Sequence, residues 1–125
     1  TAYEMITQAY ADGDIDQMSP YLASEVKEHF AALIAERERA DTRLEIEIVG
    51  IQKTKISRAQ VTTHQAALTV TFVVQMISVE YDSDDQIVSG DPREVISVDD
   101  IWTFVRALRT DDPNWQLAAI EDELF

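Results

Sequence analysis

The spacing of apolar residues changes near Leu44, and this change restricts the chain to folds that combine helices with long strands. Before Leu44, apolar residues recur at helical spacing. From Leu44 onward, apolar and polar residues alternate, as in Leu44-Glu45-Ile46-Glu47-Ile48. Helices that come first and strands that follow predict an α+β fold, in which the helices gather on one face of an antiparallel sheet.

Three helical segments are predicted in the first part of the chain. The first covers residues 2–11 and ends at Gly13, which suits the position just after a helix. A short turn over residues 15–21 follows, and a longer helix begins at Ser24. The charged run at residues 36–39 is interpreted as the solvated end of this long helix.

Four strands with hairpin connections are predicted after Leu44. The first strand changes phase at Gly50, which indicates a bulge or a bend. The second strand covers residues 66–81, and the last two cover residues 94–108 and 115–122. Their length predicts a strongly curved four-stranded sheet that forms a cone with the helices. Such a cone encloses a pocket or presents a docking face, but the fold does not decide between them.

The net charge argues against nucleic acid as a partner. The 125 residues include 24 acidic and 10 basic side chains, for a formal charge of −14. This average field repels DNA and anionic membranes. Lys53, Lys55 and Arg58 form a local basic patch without interleaved aromatic residues, so it is a candidate for lipid headgroups or an acidic partner. No apolar run is long enough to span a bilayer.

The motifs of common enzymes and metal sites are missing from the sequence. There is no cysteine and no glycine-rich phosphate loop, and His29 and His64 lack the spacing of metal ligands. The acidic residues at positions 82, 84 and 85 lack the glycine and the final glutamate of a calcium loop. We therefore predict no catalytic residue, no metal and no cofactor.

Asp100 is the residue that keeps an enzymatic alternative open. It is in phase with Trp102 and Phe104, so its side chain could point into the cone. A buried aspartate beside a tyrosine could transfer a proton next to a carbonyl group, and the other candidates for the cone are Tyr3, Tyr10, Tyr81 and His64. The favoured interpretation is structural: Asp100 lies near a strand end, or it pairs with Arg106 or with a neighbour.

Five large apolar residues are candidates for a pocket or an apolar face. The simplest interpretation is that they form the core, and the alternative is that some line a pocket for a lipid tail or an apolar peptide. These residues are Phe72, Met76, Trp102, Phe104 and Trp115.

Several short motifs, in their order along the chain, resemble the C-terminal domain of the Tim44 family, which has the NTF2-like fold. The helical half contributes Ala9-Tyr10-Ala11-Asp12-Gly13-Asp14 and Met18-Ser19-Pro20-Tyr21-Leu22. The strands contribute Val74-Gln75-Met76-Ile77-Ser78, Ile101-Trp102-Thr103-Phe104-Val105-Arg106 and Pro113-Asn114-Trp115-Gln116-Leu117. The resemblance covers nearly the whole chain, which is interpreted as a single domain over residues 1–125.

The resemblance implies a non-catalytic domain that works at a membrane surface. Mitochondrial members tether a chaperone to the inner-membrane import channel and contact cardiolipin-rich bilayer. Bacterial relatives carry a transmembrane segment and a linker before the domain. This chain is more acidic than a matrix-side membrane binder should be, which favours a bacterial source. The expected location is then the cytoplasmic face of the bacterial inner membrane, with the matrix side of the mitochondrial inner membrane as the alternative.

Two function classes therefore remain open. The first is a scaffold for protein partners in inner-membrane translocation or membrane-protein handling, with at most weak lipid contact. The second is an NTF2-like domain that binds a small molecule or lipid, or an enzyme that uses Asp100. The chain begins at Thr1 rather than methionine, so we expect a domain excised from a longer protein with its membrane anchor upstream.

Overall fold

Helices and strands follow one another in the order expected from the sequence. The computed structural model describes residues 2–108 and 114–121. The helices are α1 (Ala2–Asp12), α2 (Ile15–Met18) and α3 (Ser24–Ala40), with a 3₁₀ turn at Ser19–Tyr21 between the last two. The strands are β1 (Arg43–Val61), β2 (Gln65–Tyr81), β3 (Ile87–Gly90), β4 (Ile96–Ala107) and β5 (Gln116–Ile120). The α+β prediction is confirmed. Pro113 and the predicted end of the last strand at Asp122 lie outside the described residues.

The turn between α1 and α2 is built by the Asp-Gly-Asp sequence. Gly13 has a φ of 73°, and its N–H donates to the carbonyl of Tyr10, while the N–H of Asp14 donates to the carbonyl of Ala9. These two bonds form the Schellman ending that favours glycine. The carboxylate of Asp14 then accepts from the backbone N–H of Gln17 and caps α2.

The sheet is curved and antiparallel, with the strand order β1-β2-β4-β5. The register of β1 against β2 shifts between Ile48 and Gly50, which confirms the predicted irregularity. Two further shifts lie between Ile51 and Lys53 and between Ile56 and Arg58. Each bulge bends and twists the strand further, so the 19 residues of β1 curve with the sheet.

A short fifth strand, which the prediction of four strands does not include, lies between the second and third predicted strands. Ile87–Gly90 pairs with the end of β2, from Val79 to Tyr81. Gly90 has a φ of 85°, and a Cβ atom there would collide with the backbone carbonyl of Ser78. Position 90 therefore requires glycine, but the strand that pairs with this segment cannot be identified from the local sequence.

The core lies between the helices and one face of the sheet. Alternate residues of β2, from Val70 to Met76, point into this face and are buried. α1 packs on β1 at one side of the sheet, and α3 packs on β5 at the other. The second half of β1, from Gln52 to Val61, is exposed at every residue. The helices therefore cover only part of the sheet, and both the apolar groove and the basic patch described below lie near the uncovered part.

Candidate functional site

An aromatic cluster joins the start of α1 to the middle of the sheet. The ring of Tyr3 lies 4.8 Å from that of Phe72 and 4.6 Å from that of Trp102, centroid to centroid. Trp102 in turn lies 5.7 Å from Phe72 and 6.2 Å from Phe104. Tyr3 and Trp102 are fully buried, so the first turn of α1 is held against the sheet by close aromatic packing.

An open apolar groove of 230 Å³ lies beside this cluster. It is lined by Ala2, Tyr3, Leu68, Phe72, Phe104 and Trp115. Three of the five predicted apolar candidates, Phe72, Phe104 and Trp115, thus meet in one place. The other two, Met76 and Trp102, have no exposed surface and belong to the core.

A buried hydrogen bond lies beneath the groove. The hydroxyl of Tyr3 donates to Oδ2 of Asp100 at 2.6 Å, and both side chains are fully buried. Asp100 lies opposite Phe72 in the β2–β4 ladder, well inside β4. The favoured interpretation of Asp100, as a strand-end residue or a partner of Arg106, is therefore wrong. Its phase with Trp102 and Phe104 was the correct signal, because all three point into the core.

The environment of Tyr3 keeps its hydroxyl protonated. Burial is the main cause that raises the pKa of Tyr3 far above its ordinary value, and the hydrogen bond and charge of Asp100 act in the same direction. Tyr3 is therefore a hydrogen-bond donor throughout the physiological pH range. The pair resembles an acid–base dyad in composition, but its polar atoms are sealed from solvent. The aromatic ring of Tyr3 lines the groove, while its hydroxyl lies inside the core.

A second, more polar cavity lies between α3 and the sheet. It has a volume of 320 Å³ and is lined by Tyr10, Leu33, Glu36, Arg37, Leu44, Ile46, Ser78, Glu80 and Ser89. The guanidinium of Arg37 lies 4.5 Å from the ring centroid of Tyr10 and donates through Nη2 to the backbone carbonyl of that residue. The Nη1 atom is buried and has no hydrogen-bond partner among the described residues.

Arg37 is the residue that the sequence interpretation missed at this cavity. It was assigned to a solvated charged run, and Glu36, Glu38 and Arg39 are indeed exposed. Arg37 is half-buried because Tyr10 of α1 offers it an aromatic face and a carbonyl. Burial raises the pKa of Tyr10, Arg37 lowers it, and Glu80 raises it. Only helical phase, which sets Arg37 three residues after the buried Ile34, could have hinted at this placement.

The predicted basic patch is assembled on the outer face of the sheet. Lys53, Lys55 and Arg58 lie opposite Val73, Thr71 and Thr69 of β2, and all three basic side chains are exposed. They belong to the exposed second half of β1 and lie on the face turned away from the helices. They therefore do not contribute to either cavity. The patch and the apolar groove are separate sites.

The residues considered for metal binding serve other purposes. Oδ1 of Asp82 accepts the backbone N–H groups of Asp84 and Gln86, so this carboxylate closes a turn. His64 is exposed in the loop between β1 and β2, and His29 is half-buried on α3. Residues 2–108 and 114–121 hold no group of three or more histidine or acidic side chains that could bind a metal ion. Within the same residues, no helix has the length and apolarity needed to cross a membrane.

The comparisons with known proteins agree with the fold. A family model described as "Tim44-like domain" matches residues 1–122. At a coarse level, this match supports a membrane-associated role related to protein translocation, with protein partners. The intermembrane space region of the chloroplast protein ARC6 is similar in structure, with a TM-score of 0.53 and 11% sequence identity over 91% of this chain and 82% of that one. No curated protein matches the sequence significantly. Since the family model covers nearly the whole chain, the chain belongs to the Tim44-like domain family.

Proposed function

We propose that this chain is a non-catalytic, membrane-peripheral scaffold domain that holds an apolar segment of a partner protein in the groove beside α1. The observation that carries the proposal is the composition of the groove, whose lining is almost wholly apolar and includes Phe104 and Trp115 at half-buried positions. Aromatic residues dominate the energy of protein interfaces, so a groove lined by them suits an apolar segment of a partner.

The buried Tyr3–Asp100 pair supports a scaffold rather than an enzyme. A catalytic acid or base must come within hydrogen-bond reach of its substrate. Both members of this pair have no exposed surface, and the raised pKa of Tyr3 removes it as a base near neutral pH. We infer that the pair fixes the first turn of α1, and thereby one wall of the groove, against β4.

The proposed setting is the inner membrane, where the domain would assist protein translocation or membrane-protein handling. The family match and the charge of −14 support the cytoplasmic face in a bacterium, and the matrix side in mitochondria is the alternative. Direct lipid contact is proposed to be weak, since the basic patch has only three members in a strongly acidic chain.

Site-directed photo-crosslinking in cells tests the proposal. A photoreactive residue replaces Phe104 at the groove, and a control places it at Val61, which is 75% exposed outside the groove. We expect adducts with an inner-membrane protein or a translocation component from position 104 only, and loss of these adducts when Leu68→Asp is added. Equal amounts of adduct from both positions would show that the groove is not the binding site and would contradict the proposal.

A second candidate function rests on the double role of Tyr3, which lines the groove and bonds Asp100. A small apolar molecule in the groove would then lie over the ring of Tyr3, with the tyrosine–carboxyl pair buried beneath it. Screening the purified chain with esters, phosphoesters and ketosteroids separates the two candidates. Turnover that disappears in Asp100→Asn would favour the enzyme.

A further inference from the structure

The β1 strand forms one edge of the sheet along its full length. It pairs with β2 on one side, and the described part of the chain places no strand on the other. An unpaired edge presents backbone N–H and C=O groups to any further strand. Bulges and lysines commonly protect such edges, and β1 has both. A strand that joins this edge must therefore match its charges and its regular stretches.

Acidic and basic side chains differ in number between the two halves of β1. On the outer face, the first half carries Glu45 and Glu47 together with Arg43, which forms an ion pair with Glu45, whereas Lys53 and Lys55 occupy the second half. This uneven distribution of charge extends beyond β1. Residues 48–79 contain no acidic residue, although the whole chain has a charge of −14. The first half of β1 is therefore acidic, the second half is basic, and the two are separated by the bulges.

A second copy of the same strand has the complementary arrangement in antiparallel orientation. With a two-fold axis near Ile51, Glu47 of each copy lies opposite Lys55 of the other, and both belong to the outer face. The same register sets Ile46 opposite Ile56 on the inner face. The facing stretches are free of register shifts, since β1 pairs regularly with β2 over residues 43–48 and 53–56. Two of the bulges lie near the two-fold axis, at residues 48–50 and 51–53, and the third lies just after the facing stretch, at residues 56–58.

The inner face of this edge has room for the apolar side chains of a second copy. An open groove of 530 Å³ between α1 and β1 is lined by Glu4, Met5, Gln8, Ile46, Glu47 and Ile48. In the antiparallel register, Ile56 of the other copy falls beside Ile46 and Met5. Ile56 is 59% exposed in the isolated chain, so pairing would remove apolar surface from water.

The charged positions are also available for such pairing. Neither Glu47 nor Lys55 forms an ion pair within the described residues, and both side chains are exposed. We propose that two copies of this chain associate through β1 to form a symmetric dimer with one continuous sheet, with the Glu47–Lys55 pairs setting the register. Complementary charges at matched positions favour this occupant over an anionic membrane, which the glutamates of the same edge would repel.

Sedimentation equilibrium of the purified chain tests the dimer, over protein concentrations up to about 1 mM. We expect a salt-sensitive monomer–dimer equilibrium. Either Glu47→Lys or Lys55→Glu alone places like charges opposite each other twice, and we expect each to weaken the dimer about tenfold or more. An equimolar mixture of the two variants again sets opposite charges against each other at every facing position, so dimers should return in the mixture.

Matched controls separate the register from the net charge. Lys27→Glu and Glu28→Lys make the same charge changes at exposed positions of α3 and should leave the dimer unchanged. Thermal melts of all variants show whether they fold. A chain that is monomeric at every concentration, or a mixture that does not restore dimers, would overturn the proposal. Binding of a peptide with the sequence of residues 43–48, or salt-resistant binding of cardiolipin vesicles, by a chain that stays monomeric would assign the edge to another occupant and also overturn the proposal.

Discussion

Removing one oxygen atom from Tyr3 should destabilise the whole domain. Tyr3→Phe keeps the ring that packs on Phe72 and Trp102, so the aromatic contacts remain while the donor to Asp100 is lost. The change therefore isolates the hydrogen bond from the packing. Because Asp100 is fully buried, water cannot replace the lost donor without opening the core.

The expected cost follows from the geometry of the bond. An O–O distance of 2.6 Å lies in the range of charge-assisted bonds between a hydroxyl and a carboxylate. Hydrogen bonds to charged groups contribute about 1.5–3 kcal/mol to the free energy of unfolding. We therefore expect Tyr3→Phe to lower the free energy of unfolding by about 2–3 kcal/mol, a large share of the roughly 5–15 kcal/mol typical of a domain.

Urea unfolding of four proteins measures this cost: the wild type, Tyr3→Phe, Asp100→Asn and the double variant. In the Asp100→Asn background the bond is neutral on both sides, so the loss of the tyrosine hydroxyl should cost only about 1 kcal/mol. Tyr21→Phe is the control, since Tyr21 is 42% exposed. A cost for Tyr3→Phe no larger than that of the control would refute the reasoning that the pair fixes α1.

The same pair predicts a dependence of stability on alkaline pH. The pKa of Tyr3 is raised in the folded chain above its ordinary value of 10.0, chiefly by burial and then by Asp100. The stability that protonated Tyr3 provides is therefore complete below pH 10. It is lost as the pH rises further, because the unfolded chain releases the tyrosine proton first. Tyr3→Phe should flatten this decline. Part of the slope should remain, since burial also raises the pKa of Tyr10.

Three further outcomes follow from the packing and the charges. Trp102→Ala should lower the free energy of unfolding, measured in urea, by about 3–5 kcal/mol, because it leaves a large cavity in the core. A loss under about 1 kcal/mol would contradict this. Gly90→Ala should lower the free energy of unfolding by at least about 1–2 kcal/mol and speed amide exchange in β3. The reason is that alanine disfavours the positive φ and its Cβ collides with the carbonyl of Ser78. Unchanged amide exchange would contradict this. The isolated chain should bind cardiolipin vesicles weakly in flotation assays and lose them with added salt, whereas salt-resistant binding would point to an inserting apolar surface.

Local chemistry made much of the fold predictable. The glycine at position 13 needed a left-handed backbone, and the one at position 50 marked a break in alternation, so both the helix end and the first bulge could be anticipated. The same holds for the direction of Asp100, because strand side chains alternate and its neighbours Trp102 and Phe104 are apolar.

Contacts between distant parts of the chain could not be predicted in this way. The partner of Asp100 lies 97 residues away, and its choice depends on where α1 settles on the sheet. The burial of Arg37 likewise depends on the face of Tyr10, which belongs to another helix. A charged run was read as solvated because sequence periodicity reports which face a residue occupies, but not what the fold places opposite that face.

The groove and the stability of the domain are linked through α1. Ala2 and Tyr3 form one wall of the groove, and the second of these is also the residue that bonds Asp100. A partner segment that packs on this wall binds the folded chain and not the unfolded one, so it must stabilise the anchored position of α1. Conversely, a variant that loosens the first turn of α1 must weaken the binding of any segment that needs this wall.

If the groove is the binding site, Tyr3→Phe should therefore reduce crosslinking from position 104 even though no atom of that position has changed. If crosslinking is unaffected while stability falls, the partner does not use the α1 wall, and the groove would have to be redefined by Leu68, Phe104 and Trp115 alone.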